Sequence, residues 1–423
     1  MRFNSLGFVL SGMLCLARPN IEAKGFIVHE WGTFTTLNNS AGQALSGLYK
    51  DTELLPTFVE TLPFYKYDSL LGWPSPKKLR HVNVKMETPI LYFYSPEAKN
   101  VQVKVGFQNG TINQWYPACD SGENNPGPLG IDFEKPYQGF VFWNFKVLAP
   151  LDTHKVWYPN TTSIWSGPRG VTANLVQGKN GEIEKFLFYR GLGGFASTLP
   201  IQVHFNLERK LVVENQGGLN VGYIFVYENT RMGDKYLWWQ GNLGIGKSVI
   251  LNRPPNTSPD TSIANAKIKF RESMVQAGLT NDEALVLIEK WKYSYFEESG
   301  LKVFWLLPRP LIDHILPLTI SPIPDSLERV IVGRSDILTP EFEDTLRTAL
   351  QHGTLSQFQN DKYYLAYLNA LQLSSPIRFS RSNSVKRVLT RAGKSKLVTP
   401  SFYDPNGNLR DSRGKSYSKK TSE

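Results

Sequence analysis

The sequence predicts a mainly β protein: a β-sandwich-like body, then a smaller α+β C-terminal portion and a disordered basic tail. Three observations lead there. Aromatics make up 13% of the 423 residues, and 34 Gly and 27 Pro accompany them, a mix that suits short strands joined by many turns. From Gly25 to Pro255 the apolar residues alternate, or run in short β-branched and aromatic blocks, as in half-buried and fully buried strands. Past the segment NRPPNTSPDTS (252–262) the period becomes helical.

The chain opens with Arg2 and a 12-residue apolar run, Leu6 to Ala17. That run is too short to span a bilayer and reads as a secretion signal over residues 1–23, with cleavage expected after Ala17 or Ala23. A periplasmic or extracellular location follows. Cys15 is preceded by Gly12-Met13-Leu14, without the small residue expected directly before a lipidated cysteine, so a lipid anchor is not expected. No later segment reads as membrane-spanning. The best candidate, VFWLLPRPLIDHILPLTI, is interrupted by Pro308, Arg309, Pro310 and Asp313. Loss of the signal leaves Cys119 as the one cysteine, so no internal disulfide is expected. One Cys and six scattered His build no ordinary zinc cluster, and neither a metal nor a cofactor is expected.

The β body is assigned to residues 24–255. Its first strand is FIVHEWGTFTTL (26–37). PILYFY and VQVKVGF follow, the second with clean alternation, and then Asn109-Gly110 as a hairpin-type turn. GFVFWNFKVLAP, KFLFYRG, IQVHFNL, KLVVEN, VGYIFVYEN and GKSVIL continue the series, with glycine-rich turns expected at 191–194 and 217–218. Two blocks, ILYFY…VQVKVGF and FLFY…IQVHF, are loosely alike. They read as related sandwich units or as coincidence between β-rich hairpins, and coincidence is the simpler account.

The α+β portion is assigned to residues 256–374. Thr280-Asn281-Asp282-Glu283 is a capping box. Ala284, Leu285, Ile288, Trp291, Lys292 and Tyr295 then fall on or beside one helical face, and Gly300 is a stop. LKVFWLLP and ERVIVGR are strands. TPEFEDTLRTALQ is a helix capped by Thr339 with Pro340 in its first turn, and DKYYLAYLNALQL is a last helix. Residues 375–423 hold 12 Lys/Arg against 3 Asp/Glu, which places +9 of the net +10 in the tail. The body is therefore close to neutral, and the tail reads as disordered. Weak contact with an anionic surface through the tail is the partner it implies. Specific nucleic-acid binding is not implied.

Chemistry is less legible. On a strand, His29, Trp31 and Thr33 point one way, and Val28, Glu30 and Phe34 the other. His29 and Glu30 therefore cannot act as one pair unless the strand bulges, with Gly32 the place for it. Packing of His29 with Trp31 is the plainer reading, and Glu30, costly to bury alone, either has a partner such as an Arg or marks a cleft. Glu297-Glu298 closes a helix against its macrodipole, so a compensating cation such as Arg309 is expected, or a cleft suited to glycoside chemistry. FYRGLGGF and GNLGIGKS lack phosphate-loop context, and no G-x-S-x-G elbow is present. Cys119 reads as an inert, buried thiol.

HEWGTFT, KMETPILYFYS, INQWYP, FLFYRGLG and the C-terminal run WKYSYFEESGLKVFWLLPR…LPLTISPIP…ERVIVGR resemble a family of predicted secreted bacterial proteins. The resemblance covers about residues 26–345. It implies an extracytoplasmic bacterial protein and brings no activity with it. Its motif residues supply the candidates. His29, Glu30 and Glu297 are candidates for catalysis. Trp31, Glu87, Trp115, Tyr116, Tyr189, Arg190 and Arg309 are candidates for ligand binding. Two functions stay open beside a purely structural envelope role: binding of a glycan or other envelope ligand, with exposed aromatics as stacking faces, and hydrolysis of such a polymer by His or carboxylate chemistry. Convergence of His29 or Glu30 with Glu87, Arg190 or Glu297 in one polar pocket would favour the enzyme.

Overall fold

The computed structural model describes residues 25–50, 55–62, 79–124, 130–150 and 163–373, with two short strands at Phe402–Tyr403 and Leu409–Arg410. The expected signal segment, with Cys15, and nearly all of the basic tail lie outside these residues. The protein is mainly β, and its C-terminal portion is α+β. No helix among the described residues is long and apolar enough to cross a membrane.

The principal strands are β1 (Ile27–Asn38), β2 (Val84–Tyr94), β3 (Lys99–Gln108), β4 (Gly110–Tyr116), β5 (Gln138–Val147), β6 (Leu187–Gly193), β7 (Val221–Asn229), β8 (Lys235–Leu243), β9 (Gly300–Leu306) and β10 (Ser326–Ile337). They belong to one 15-stranded sheet in the order β5-β4-β6-β2-β1-β10-β9-β7-β8, and β3 pairs with β5 off this path. A second sheet joins Ile201–Phe205, Leu211–Asn215 and Ser248–Leu251. The central pair is β1 with β10, parallel over the whole length of both strands. The segment 252–262 thus marks a change in sequence character, while strands from either side of it share one sheet.

Alternation in β1 is as the sequence predicts. Val28 and Phe34 enter a core with Phe93, Val103 and Trp143, and Trp31 enters the opposite core with Tyr92, Phe225 and Phe304. Helices α1 (Asp260–Gln276) and α2 (Asn281–Lys292) cover this second face. Helices α3 (Pro340–Gln351) and α4 (Tyr364–Leu373) pack on a third cluster with Leu37, Leu45 and Leu192. The Thr280–Glu283 capping box and the Thr339 cap both form. The buried face of α2 is Ala284, Leu287 and Ile288, and Leu285 is exposed. The apolar stripe therefore runs through Leu287 and leaves out Leu285.

Several local expectations are corrected. Asn109 has a left-handed backbone (φ 49°), yet β3 pairs with β5 and β4 pairs with β6. It is a corner where the chain changes partners, not a hairpin turn. Gly191 and Gly193 lie inside buried β6, where a Cβ at Gly191 would come within 2.6 Å of the Thr111 carbonyl oxygen. These glycines admit a neighbouring strand. The bulge expected at Gly32 falls on the partner: β1 and β2 slip register between Trp31 and Thr33, and Thr88 takes φ 51°. Gly32 answers it, since a Cβ there would sit 2.9 Å from the Pro89 Cα. The two look-alike blocks have different partners, with 101–107 in the large sheet and 201–205 in the small one, so their topology does not match a duplication.

Candidate functional site

His29 and Glu30 point to opposite faces and serve two separate ion networks. On the helix-covered face, the His29 Nδ1 lies 2.9 Å from the Glu283 Oε2. The Tyr94 hydroxyl donates to Oε1 at 2.9 Å, and the Thr280 amide donates to Oε2 at 2.7 Å. Glu283 is thus both the capping-box acid of α2 and the buried partner of His29, so one carboxylate docks a helix end on the central strand. Burial, then the Glu283 charge, drives the Tyr94 phenol far above its ordinary range. With His29 itself buried, the arrangement acts in folding. His29→Ala should cost about 1–3 kcal/mol and lower the melting temperature. An unchanged melting temperature together with abolished ligand binding would reverse that assignment.

On the other face Glu30 is wholly buried. The Arg329 Nε donates to its Oε2 at 2.6 Å, and the Tyr189 hydroxyl donates to its Oε1 at 2.5 Å. The parallel register sets Glu30 directly beside Arg329. Arg329 reaches on to Asp313 at 2.8 Å, and Asp313 pairs with Arg309 at 2.9 Å. Arg309 also donates to the Leu327 carbonyl at 2.7 Å. Three motif residues, Glu30, Tyr189 and Arg309, therefore belong to one network that runs from the sheet interior to the surface. Arg329 and Asp313, which link them, carry no local signal in the sequence.

A third polar group spans the sheet centre on the His29 face. Glu87 accepts from the Thr35 hydroxyl at 2.9 Å and lies 3.8 Å from the Lys85 Nζ. The Thr33 hydroxyl meets the Tyr295 hydroxyl at 2.6 Å. Arg334, wholly buried, donates through Nε and one NH2 to Asp336 at 2.7 Å each, and to Glu298 at 3.2 Å. Lys362 also pairs with Glu298. The compensating cations for Glu298 are therefore Arg334 and Lys362, not Arg309. Burial lowers the Lys302 ammonium to about 8. Arg190 is buried with its NH2 3.5 Å from the Thr88 hydroxyl.

Trp31, Tyr116 and Tyr189, candidates for ligand binding, are buried. Tyr116 packs against Phe58 and Trp165, and Trp115 is partly buried against the other core. Burial raises the Cys119 thiol to about 11, which keeps it protonated and unreactive at neutral pH.

Of the candidates, Glu297 lines an open groove of about 550 Å³, together with Asn229, Arg231, Tyr293, Phe358 and Asp361. Its position follows from local structure. Helix α2 continues as a π-helical turn, Tyr293–Glu297, closed by the Glu298 amide donating to the Tyr293 carbonyl at 2.7 Å. The wide turn buries adjacent Tyr295 and Phe296 while leaving Tyr293 and Glu297 exposed. Asn229 ties the turn to β7 by donating to the Glu297 carbonyl at 2.6 Å. Arg231 lies over the Phe342 ring, 4.4 Å from its centroid. Glu297 and Asp361 of the lining are chain neighbours of Glu298 and Lys362, which pair with each other. Tyr293 escapes sequence reasoning because nothing local marks a π turn, and Arg231 because it lies in the turn between β7 and β8. Glu297 and His29 or Glu30 are not brought together.

His81, Asp132 and Glu134 also gather, each offering one ligand atom within 4.8 Å of the others.

No family model matches the chain, and no curated protein matches it. Among solved structures it is similar to the yeast delta-COP-I mu-homology domain, at 6% identity over 74% of this chain and 98% of that one, with a TM-score of 0.26. It is also similar to a class 5 fimbrial chaperone, at 12% identity over 47% of this chain and 94% of that one, with a TM-score of 0.11. Likeness at these scores assigns neither family nor function.

Proposed function

We propose that the protein is exported and binds a glycan or similar polar envelope ligand in the groove beside the π-helical turn. The observation that carries this reading is the groove's lining. Tyr293 offers an exposed ring, and Arg231, Glu297 and Asp361 surround it with donors and acceptors. An apolar ring face with convergent polar groups suits a sugar, whose own faces are apolar and whose rim is hydroxyl. The His29 and Glu30 networks then serve as scaffold.

The test is calorimetry or array binding of the mature protein against soluble envelope oligosaccharides. Tyr293→Ala should weaken binding by about tenfold or more, in line with loss of a central aromatic contact, with the melting temperature nearly unchanged. Binding that ignores Tyr293→Ala and Glu297→Gln would remove the groove from the reading. Hydrolysis is the second reading, favoured by the presence of two carboxylates, Glu297 and Asp361, on one groove. Release of shortened oligosaccharides by the native protein and not by Glu297→Gln would select it.

A further inference from the structure

The geometry points to a divalent metal site at His81, Asp132 and Glu134, apart from the groove. The three come from two chain segments held side by side. Leu79–Arg80 pairs in parallel with Ile131–Asp132, and the Phe133 amide donates to the Arg80 carbonyl at 3.2 Å. His81 directly follows the first strand, with a left-handed backbone (φ 60°) that a residue with a Cβ seldom adopts. Its Nδ1 lies 2.7 Å from the Asp132 Oδ1, and its Nε2 lies 3.4 Å from the Glu134 Oε1. The Glu134 amide donates to the same Asp132 oxygen at 3.2 Å. Asp132 thus faces Nδ1 and Glu134 faces Nε2 of one imidazole, and the backbone bond holds the two acids beside each other.

One imidazole and two carboxylates are a donor set for zinc or a similar first-row ion. Bonds of about 2.0–2.2 Å place neighbouring ligand atoms about 3.3–3.5 Å apart around a tetrahedral ion. An ion takes one of the two ring nitrogens, so one carboxylate must swing toward the other's side, and the three donor atoms, within 4.8 Å of one another, reach that spacing by side-chain rotations. Glu134 and Arg80 are both exposed and can make them. Arg80, 3.3 Å from the Asp132 Oδ2, is the cation that an ion would displace, and an exposed pair of this kind holds weakly. Three protein ligands leave the remaining position to water.

The test is calorimetric titration of the full-length, chelator-treated protein with zinc chloride. One equivalent should bind. His81→Ala and Asp132→Asn should each weaken it by about tenfold or more, and Arg80→Ala should tighten it by removing the competing cation. His204→Ala, a half-buried histidine beside Glu214, should leave it unchanged. Melting curves check that each variant is folded, and Glu134→Gln replaces any that is not. Folded wild-type protein with no saturable binding overturns the site, as does equal affinity in His81→Ala.

Discussion

Glu30→Ala should lower stability by about 3–5 kcal/mol, the range for removing one partner of a buried ion pair. The side chains of Glu30 and Arg329 are 0% and 1% exposed, so water cannot replace the lost carboxylate. The variant leaves the Arg329 Nε and the Tyr189 hydroxyl without their acceptor. Asp313 holds only the other end of the guanidinium. The loss is therefore mostly the cost of a stranded cation and not the net worth of the pair. That distinction is measurable. The double variant Glu30→Leu/Arg329→Met removes both charges, and should be more stable than either single variant in urea denaturation. A double variant no better than Glu30→Ala would show that the pair is not coupled as its geometry implies.

Arg334→Met should cost a similar amount near neutral pH, because it takes both guanidinium donors from buried Asp336 and leaves it the Tyr363 hydroxyl. Here the dependence on pH gives a second reading. Burial would raise the Asp336 carboxyl, but the Arg334 guanidinium, with Lys362 and Lys302 behind it, outweighs burial and holds it at about 2 against the ordinary 3.8. The folded value lies below the unfolded one. The group's stabilisation is therefore present above about pH 4 and lost as pH falls toward 2. The native protein should lose stability through that window, and Arg334→Met should lose less of it there. An acid slope identical in the two proteins would remove Asp336 as its source.

Much of the local architecture was legible in the residues, for reasons that are themselves local. Strand alternation separates His29 from Glu30 wherever β1 is placed. The Thr280 and Thr339 caps work within a single turn. Other elements were harder to read. Helix α1 buries only Ile263, Ala266, Phe270 and Met274 of its 17 residues, so its stripe is thin and it follows a proline-rich segment without a side-chain cap. Strand β8 is half-buried along nearly all its length, so KYLWWQGNL shows no clean alternation. The corner at Asn109 and the glycines of β6 were misread because a positive φ or a missing Cβ serves a turn and a close strand approach equally well.

What the sequence by itself determined, then, is the β-rich class, the helix ends, the direction in which each β1 side chain points, and the need of buried Glu30 for a partner. Only the tertiary structure decided the partners. His29 meets Glu283 across 254 positions, and Glu30 meets Arg329 across 299. His81 meets Asp132 across 51. The first requires helix α2 to dock on the face of β1, the second requires β10 to return to the sheet centre beside it, and the third requires two short strands to pair. Periodicity and capping act over one or two turns of chain. Ion pairs, grooves and metal donors depend on which strand lies beside which, and that is set by the burial of whole faces, to which no short run of residues commits the chain.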